Sequence, residues 1–226
     1  MPSTHYTIQE CTNQDCRLRF PLDAKADLYG RCPRCGSATR TALIPAPVDD
    51  EKVGLHITSR QESKPSLFVI EALLDNVRSA WNVGSMFRTA DGAGIRHIHL
   101  AGFTPTPEHP KVAPTALGAE KTIPWTYHLN SLDIAIALKE QGWALWALED
   151  NPGGVNLQPG SIFEFHPQPG DSPVLLIVGN EVFGVDPGLL ELCDRVLWIP
   201  MLGHKRSLNV AVAFGVAVYA LRFEEC

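Results

Sequence analysis

At 226 residues, 45% of them hydrophobic and 19% charged, the chain carries enough apolar side chain for one full-sized domain and a small companion, which excludes wholesale disorder. The net charge of −6 excludes a protein coated in basic surface, as a non-specific DNA or RNA binder would be, and leaves room only for local cationic sites. The longest apolar runs, such as Val174–Val178 and Val210–Leu221, are too short or too broken by glycine to span a bilayer, and Met1–Glu10 has neither a basic nor an apolar signal region. A soluble cytoplasmic protein with no membrane or DNA partner is expected.

In chain order, the first feature is a cysteine module. Cys11-x4-Cys16 and Cys32-Pro-Arg-Cys35 are two short loops separated by 15 residues, while Cys193 and Cys226 stand alone. Without an export signal, a reduced compartment favours metal binding over disulfides, and the lack of a βαβ pattern upstream speaks against redox use of the CxxC pair. Each loop can offer two thiolates to one tetrahedral ion. The spacing suits structural zinc, with Gly36 making the tight turn after the second pair. A module this short needs such a staple because its apolar core is small. Residues 1–48 hold six Lys/Arg against four Asp/Glu, whereas residues 49–226 hold 13 against 21. Arg17, Arg19, Lys25, Arg31, Arg34 and Arg40, with Phe20 and Tyr29, therefore make the module a candidate RNA- or partner-binding platform.

Pro45-Ala46-Pro47 and the charged run Asp49–Lys52 mark a boundary, giving a module over 1–48, a linker over 49–65 and a main domain over 66–226. In the main domain, Leu67–Ala72, His97–Ala101, Trp143–Leu148, Val174–Val178 and Arg195–Ile199 read as strands. Asn82–Ala93, Leu132–Gln141, Pro187–Leu192 and Leu208–Phe223 have helical spacing. Alternation of this kind predicts an α/β fold with a mostly parallel sheet covered on both faces, and ligands at the carboxyl ends of its strands.

Three stretches carry candidate chemistry. In Asn82-Val-Gly84-Ser-Met-Phe-Arg88-Thr-Ala90, Asn82 suits a helix N-cap and Arg88 follows nearly two turns later. In Gly179-Asn180-Glu181-Val-Phe-Gly184-Val185, the glycines free the backbone to approach a ligand, and Pro187 suits the first turn of the next helix. In Ile199-Pro-Met201-Leu-Gly203-His-Lys-Arg-Ser207-Leu208-Asn209-Val210, a strand end passes through a glycine loop into a helix capped by Ser207.

Together these stretches resemble the three motifs of the SpoU (TrmH-like) ribose 2′-O-methyltransferases of the SPOUT superfamily. NxGxxxRTA, GNExxGV and IPMxGxxxSLNV occur in order, and Asp75–Ala80, Gly102–Pro107 and Ala116–Glu120 are also similar to the family. Position 211 is Ala where many members have Ser. The resemblance covers roughly residues 66–223. It implies a trefoil knot, S-adenosyl-L-methionine as cofactor, transfer of methyl to a ribose 2′-hydroxyl of structured tRNA or rRNA, and a homodimer whose second subunit completes the RNA site. By the same carry-over, Gly179, Asn180, Ile199, Met201, Gly203 and Leu208 would bind the cofactor. Arg88, Asn82, Glu181, Ser207 and Asn209 would form the catalytic site, with Arg88 orienting the hydroxyl and a neighbouring phosphate because a guanidinium stays protonated. Lys205 and Arg206 flank that site as phosphate contacts.

Other readings fit less well. Gly92-Ala-Gly94 follows a helix where a dinucleotide fingerprint needs a strand, and Ser207 lacks the GxSxG elbow of a hydrolase. A non-catalytic knotted RNA-binding or ribosome-assembly protein is the alternative that shares the fold. Retention of all three motifs favours the enzyme.

Overall fold

A computed structural model describes residues 6–23, 30–43, 68–150, 160–165, 167–168 and 170–223. The expected linker over 49–65, Lys25, Tyr29, Leu67, Cys226 and residues 151–159 lie outside the described residues. The chain divides into two compact units, Met1–Lys64 and Pro65–Cys226.

The first unit is an antiparallel sheet of β1 (Tyr6–Cys11), β2 (Arg19–Asp23) and β3 (Thr39–Leu43) in the order β2-β1-β3. Its core is small: Cys11, Leu22 and Cys32 are buried, and Gln9 is buried with its carboxamide donating to Thr7 and Thr41. None of these strands is apparent from hydrophobic alternation, since among their described side chains only Gln9, Cys11 and Leu22 are buried.

The second unit runs β4 (Ile70–Asp75), α1 (Ala80–Ala93), β5 (Ile98–Ala101), α2 (Ala113–Ala116), α3 (Ala119–Thr122), β6 (Trp125–His128), α4 (Ser131–Glu140), β7 (Ala144–Leu148), β8 (Gly160–Ser161), β9 (Val174–Val178), α5 (Pro187–Leu192), β10 (Arg195–Trp198) and α6 (Val210–Arg222). The strands form one sheet in the order β6-β5-β4-β9-β7-β10-β8, and every described ladder in it is parallel. The reason is visible in β4 and β9, which are buried at every position. Ile70, Ala72 and Leu74 face one layer with Val83, Phe87 and Phe214 of α1 and α6, while Leu73, Leu175 and Ile177 face the other with Leu138 and Leu189 of α4 and α5. Neither face can meet water, so helices must cover both.

The structure shifts or adds to several sequence expectations. The first strand of the sheet is Ile70–Asp75 rather than Leu67–Ala72, because Leu73 and Leu74 are fully buried and paired to both β5 and β9, and Asp75 continues the pairing to β5. Edge strand β6 was not expected; its pattern is half-exposed, and it is held by pairing to β5 rather than by burial. Helix α6 returns to pack on α1, so close that a Cβ on Gly92 would lie 2.8 Å from the Tyr219 hydroxyl. At its end the Arg222 guanidinium donates to the carbonyls of Phe68, Ala93 and Gly94, the start of one strand and the end of α1. β9 is inserted between β4 and β7, and the segments after β7, β9 and β10 line one cavity.

Candidate active site

The site grows from the turn after β9. Asn180 and Gly184 exchange both backbone hydrogen bonds at 2.9 Å, which closes a tight turn and requires φ of +74° at Gly184. Inside it, a Cβ on Gly179 would lie 2.2 Å from the Gly184 carbonyl oxygen, so only glycine fits. The Asn180 carboxamide oxygen accepts from Val182 and Phe183, and its Nδ2 donates to the Asn76 carbonyl at 2.8 Å, fixing the turn to the end of β4.

This turn projects Glu181 toward the start of α1. Its carboxylate accepts from the backbone N–H of Arg78 at 2.9 Å and of Ser79 at 3.1 Å, and from Asn82 Nδ2 at 2.9 Å. The Asn82 carboxamide oxygen in turn accepts from Asn209 Nδ2 at 3.1 Å. One residue from each motif is thereby joined in a single chain of hydrogen bonds. Burial opposes ionisation of Glu181, but the donors from Arg78, Asn82 and Ser79 outweigh it and hold the carboxyl below its ordinary range.

Two expected caps are placed differently. The N-cap of α1 is Ser79, whose extended backbone lets its hydroxyl accept from Asn82 N. Asn82 is therefore inside the first turn, and its carboxamide is left for Glu181. The N-cap of α6 is Asn209, accepting from Ala211 N and Val212 N, rather than Ser207. A carboxamide can cap with its oxygen and still donate to Asn82 with its nitrogen, which a hydroxyl cannot do as well. The motif glycine of α1 also has a steric role: a Cβ on Gly84 would lie 2.3 Å from the Val112 carbonyl, where α1 meets the segment entering α2.

Beside the Glu181 contacts, at the carboxyl ends of β7, β9 and β10, lies a cavity of about 310 Å3. Gly179, Asn180, Ile199, Met201 and Leu208 line it, together with Glu181, Ser207 and Asn209; Gly203, Asn82 and Arg88 do not. Sequence reasoning missed Glu149 and Asp150, which form another wall. Glu149 Oε2 accepts from Val185 N at 3.0 Å and occupies the space that a side chain at Gly184 would need. The available signal was an acid at the carboxyl end of a parallel strand.

Arg88 is exposed on α1 and, among the described residues, has no hydrogen-bond or ion-pair partner. The structure thus brings Asn82, Glu181 and Asn209 together, places Ser207 on the cavity wall and sets Arg88 apart from it. Trp81 on α1 and Val212 and Tyr219 on α6 are likewise exposed.

In the first unit the four sulfurs of Cys11, Cys16, Cys32 and Cys35 all lie within 4.8 Å of one another, with Cys11 to Cys35 at 3.5 Å and Cys16 to Cys32 at 3.8 Å. Gly36, at φ +73°, donates its N–H to the Cys32 carbonyl and turns the second loop. Burial pushes the Cys11 thiol up to about 12, whereas hydrogen bonds from Ser37 hold Cys35 down at about 6. Arg17, Arg19, Arg31 and Arg34 are exposed, and Arg40 is paired with Glu10 at 3.3 Å.

Residues 70–219 match the SpoU rRNA Methylase family. The chain is 37% identical over 150 residues to the 23S rRNA (guanosine(2553)-2′-O)-methyltransferase RlmP of Bacillus subtilis, a match covering 66% of this chain and 56% of that protein. To the 23S rRNA (guanosine-2′-O-)-methyltransferase RlmB of a Burkholderia species it is 32% identical over 223 residues, covering 91% of this chain and 83% of that one. Among solved structures, an AdoMet-bound rRNA methyltransferase from Sinorhizobium meliloti superposes with a TM-score of 0.61 at 26% identity, covering 71% of this chain and 58% of that one. The chain spans little more than half the length of the Bacillus and Sinorhizobium proteins it matches.

Proposed function

We propose, from the premise that this chain belongs to the SpoU rRNA Methylase family, that it methylates a ribose 2′-hydroxyl of tRNA or rRNA with S-adenosyl-L-methionine as donor. The observation that carries the reading is the Glu181–Asn82–Asn209 contact, which joins all three motifs at the edge of the cavity. The residues present fit a nucleoside-sized ligand. At about 310 Å3 the cavity is at the small end of ligand pockets, roughly 300–1,000 Å3. Its wall at Gly179 and Gly184 is bare backbone, and Ile199, Met201 and Leu208 supply apolar contact.

Bound there, S-adenosylmethionine supplies an electrophilic sulfonium methyl. The protein's part is to hold a weakly nucleophilic hydroxyl in line and assist loss of its proton. Glu181 fixes the first turn of α1 against the motif-two turn, and Asn209 fixes α6 against α1, so the RNA-facing surface is held rigidly. Arg88, cationic and without a partner among the described residues, is suited to orient the ribose and its neighbouring phosphate. Because it lies off the cavity in its own chain, we assign it to the RNA site of a homodimer, in which the exposed apolar residues of α1 and α6 become covered.

The four thiols suit structural zinc: tetrahedral ligands about 2.3 Å from a central ion stand about 3.8 Å apart, close to the spacings seen. No open position remains, so the module serves as a platform whose exposed arginines contact RNA. A cytoplasmic location, where tRNA and rRNA are found, belongs to the same reading. Among the described residues no helix is long and apolar enough to cross a membrane.

The test is transfer of labelled methyl from S-adenosylmethionine to unmodified tRNA and ribosomal RNA transcripts, followed by nuclease digestion. Label is expected in a 2′-O-methylnucleotide. Label on a base, or no transfer to either RNA by protein that binds the donor, would overturn the assignment.

A further inference from the structure

Next to the donor cavity, and sharing Asn180 and Gly184 with it, lies a second depression of about 700 Å3. Two phenylalanines on its lining, Phe103 after β5 and Phe183 after β9, are 86% and 84% exposed. Scattered apolar side chains at a surface are ordinary. These two are held in place. The Asn180 carboxamide oxygen accepts from Phe183 N at 3.2 Å, the Asn76 carboxamide oxygen accepts from Phe103 N at 3.1 Å, and Asn180 Nδ2 donates to the Asn76 carbonyl. Asn76 adopts a left-handed φ of +55° to do this, and a Cβ on Gly102 would lie 2.2 Å from its Oδ1. The Tyr127 hydroxyl donates to the Gly102 carbonyl and fixes the same turn from β6. Two asparagines bonded to one another thus hold two bare rings on separate loops of one depression. Its charged lining is Arg78, whose backbone N–H is bound to Glu181, with Asp75, 2% exposed, and Asp186.

Resting on the methyltransferase reading above, we infer that this depression is a stacking pocket for an unpaired RNA nucleobase adjacent to the methylated nucleotide. Aromatic rings accept the face of any base, and a guanidinium beside them stacks or meets a phosphate, which is how single-stranded RNA is gripped without a basic coat. With 13 Lys/Arg against 21 Asp/Glu in residues 49–226, this part of the chain has to draw RNA affinity from local contacts of that kind. The shared wall residues put a base held there next to the donor cavity.

The experiment uses the full chain, labelled S-adenosylmethionine, and in vitro transcribed 23S ribosomal RNA and tRNA as probes. Wild-type protein that binds the donor but methylates neither RNA overturns the function itself and this inference with it. With an active wild type, Phe103→Ala and Phe183→Ala should each raise KM for RNA roughly 5- to 100-fold. Donor affinity and kcat at saturating RNA should stay unchanged. Phe183→Tyr should restore KM and Phe183→Leu should not, since stacking needs a ring. Unchanged KM in both alanine variants overturns the stacking pocket and leaves the methyltransferase reading intact. A shift of either variant from dimer to monomer in sedimentation, with RNA affinity per subunit retained, also overturns it and gives the rings to a subunit contact.

Discussion

Among the described residues Glu181 makes no bond to a cation; it gathers neutral donors, two from the backbone and one from Asn82. These bonds are exposed, so in Glu181→Ala water replaces the carboxylate and melting should move little, whereas methyl transfer should fall about 100-fold as the start of α1 loses its tie to the motif-two turn. Equal kcat in a single-turnover assay would remove Glu181 from the site. Its lowered pKa sets the sign of a pH effect: any stability it contributes is present above the unfolded carboxylate value of about 4.3 and is lost as pH falls through the lower folded value. Arg88 is the contrasting case. Arg88→Ala should leave affinity for S-adenosylmethionine, read by calorimetry, nearly intact and slow single-turnover transfer by about 10²–10⁴-fold. Arg88→Lys should recover little, because an ammonium lacks the planar fork.

At the scale of elements, the turn after β9 is the least replaceable piece. Gly184→Ala would force a side chain into φ +74° and place its Cβ 2.3 Å from Glu149 Oε2. We expect donor affinity to fall at least 10-fold while far-UV circular dichroism is unchanged; retained affinity would show that the turn relaxes without cost to the cavity. In the cysteine module, zinc analysis should return about one ion per chain, and Cys32→Ser should melt the first unit while the second stays folded, because metal binding supplies the folding energy of so small a core. Protein purified without chelators and free of zinc would contradict this.

The same elements show what was legible beforehand. Val174–Val178 was readable because a continuous apolar run ending in glycine has few other solutions than a buried parallel strand. Ser79 and Asn82 were not distinguishable as caps: both types cap helices, they stand three residues apart, and only the backbone, at φ −84° and ψ 113° for Ser79, decides between them. The β1–β3 sheet and edge strand β6 left little periodic signal, since pairing rather than burial holds them. The contact between Glu181 and Asn82 spans 99 residues, and spacing alone does not reveal it; family resemblance supplied their company.

For the molecule as a whole, the separation of Arg88 from the cavity of its own chain makes a statement about assembly. If two subunits share each site, mixing equal amounts of inactive Arg88→Ala and inactive Asn209→Ala protein should regain about a quarter of wild-type activity after subunit exchange, because about half of the dimers are hybrids and one of the two sites in each is intact. No recovery, with exchange verified by native mass spectrometry, would place Arg88 in service of its own subunit's cavity.

The Arg222 clamp adds a dimension of time. Its three acceptors belong to Phe68, Ala93 and Gly94, and the first of these precedes it by 154 residues. At translation rates of about 5–20 residues per second, roughly 8–30 s pass between synthesis of Phe68 and arrival of the guanidinium that ties it down. Until then the approach to β4 and the end of α1 have carbonyls awaiting this donor. The packing of the last helix on α1 is therefore secured by that same helix, and the latch is made only after everything it ties together has been built.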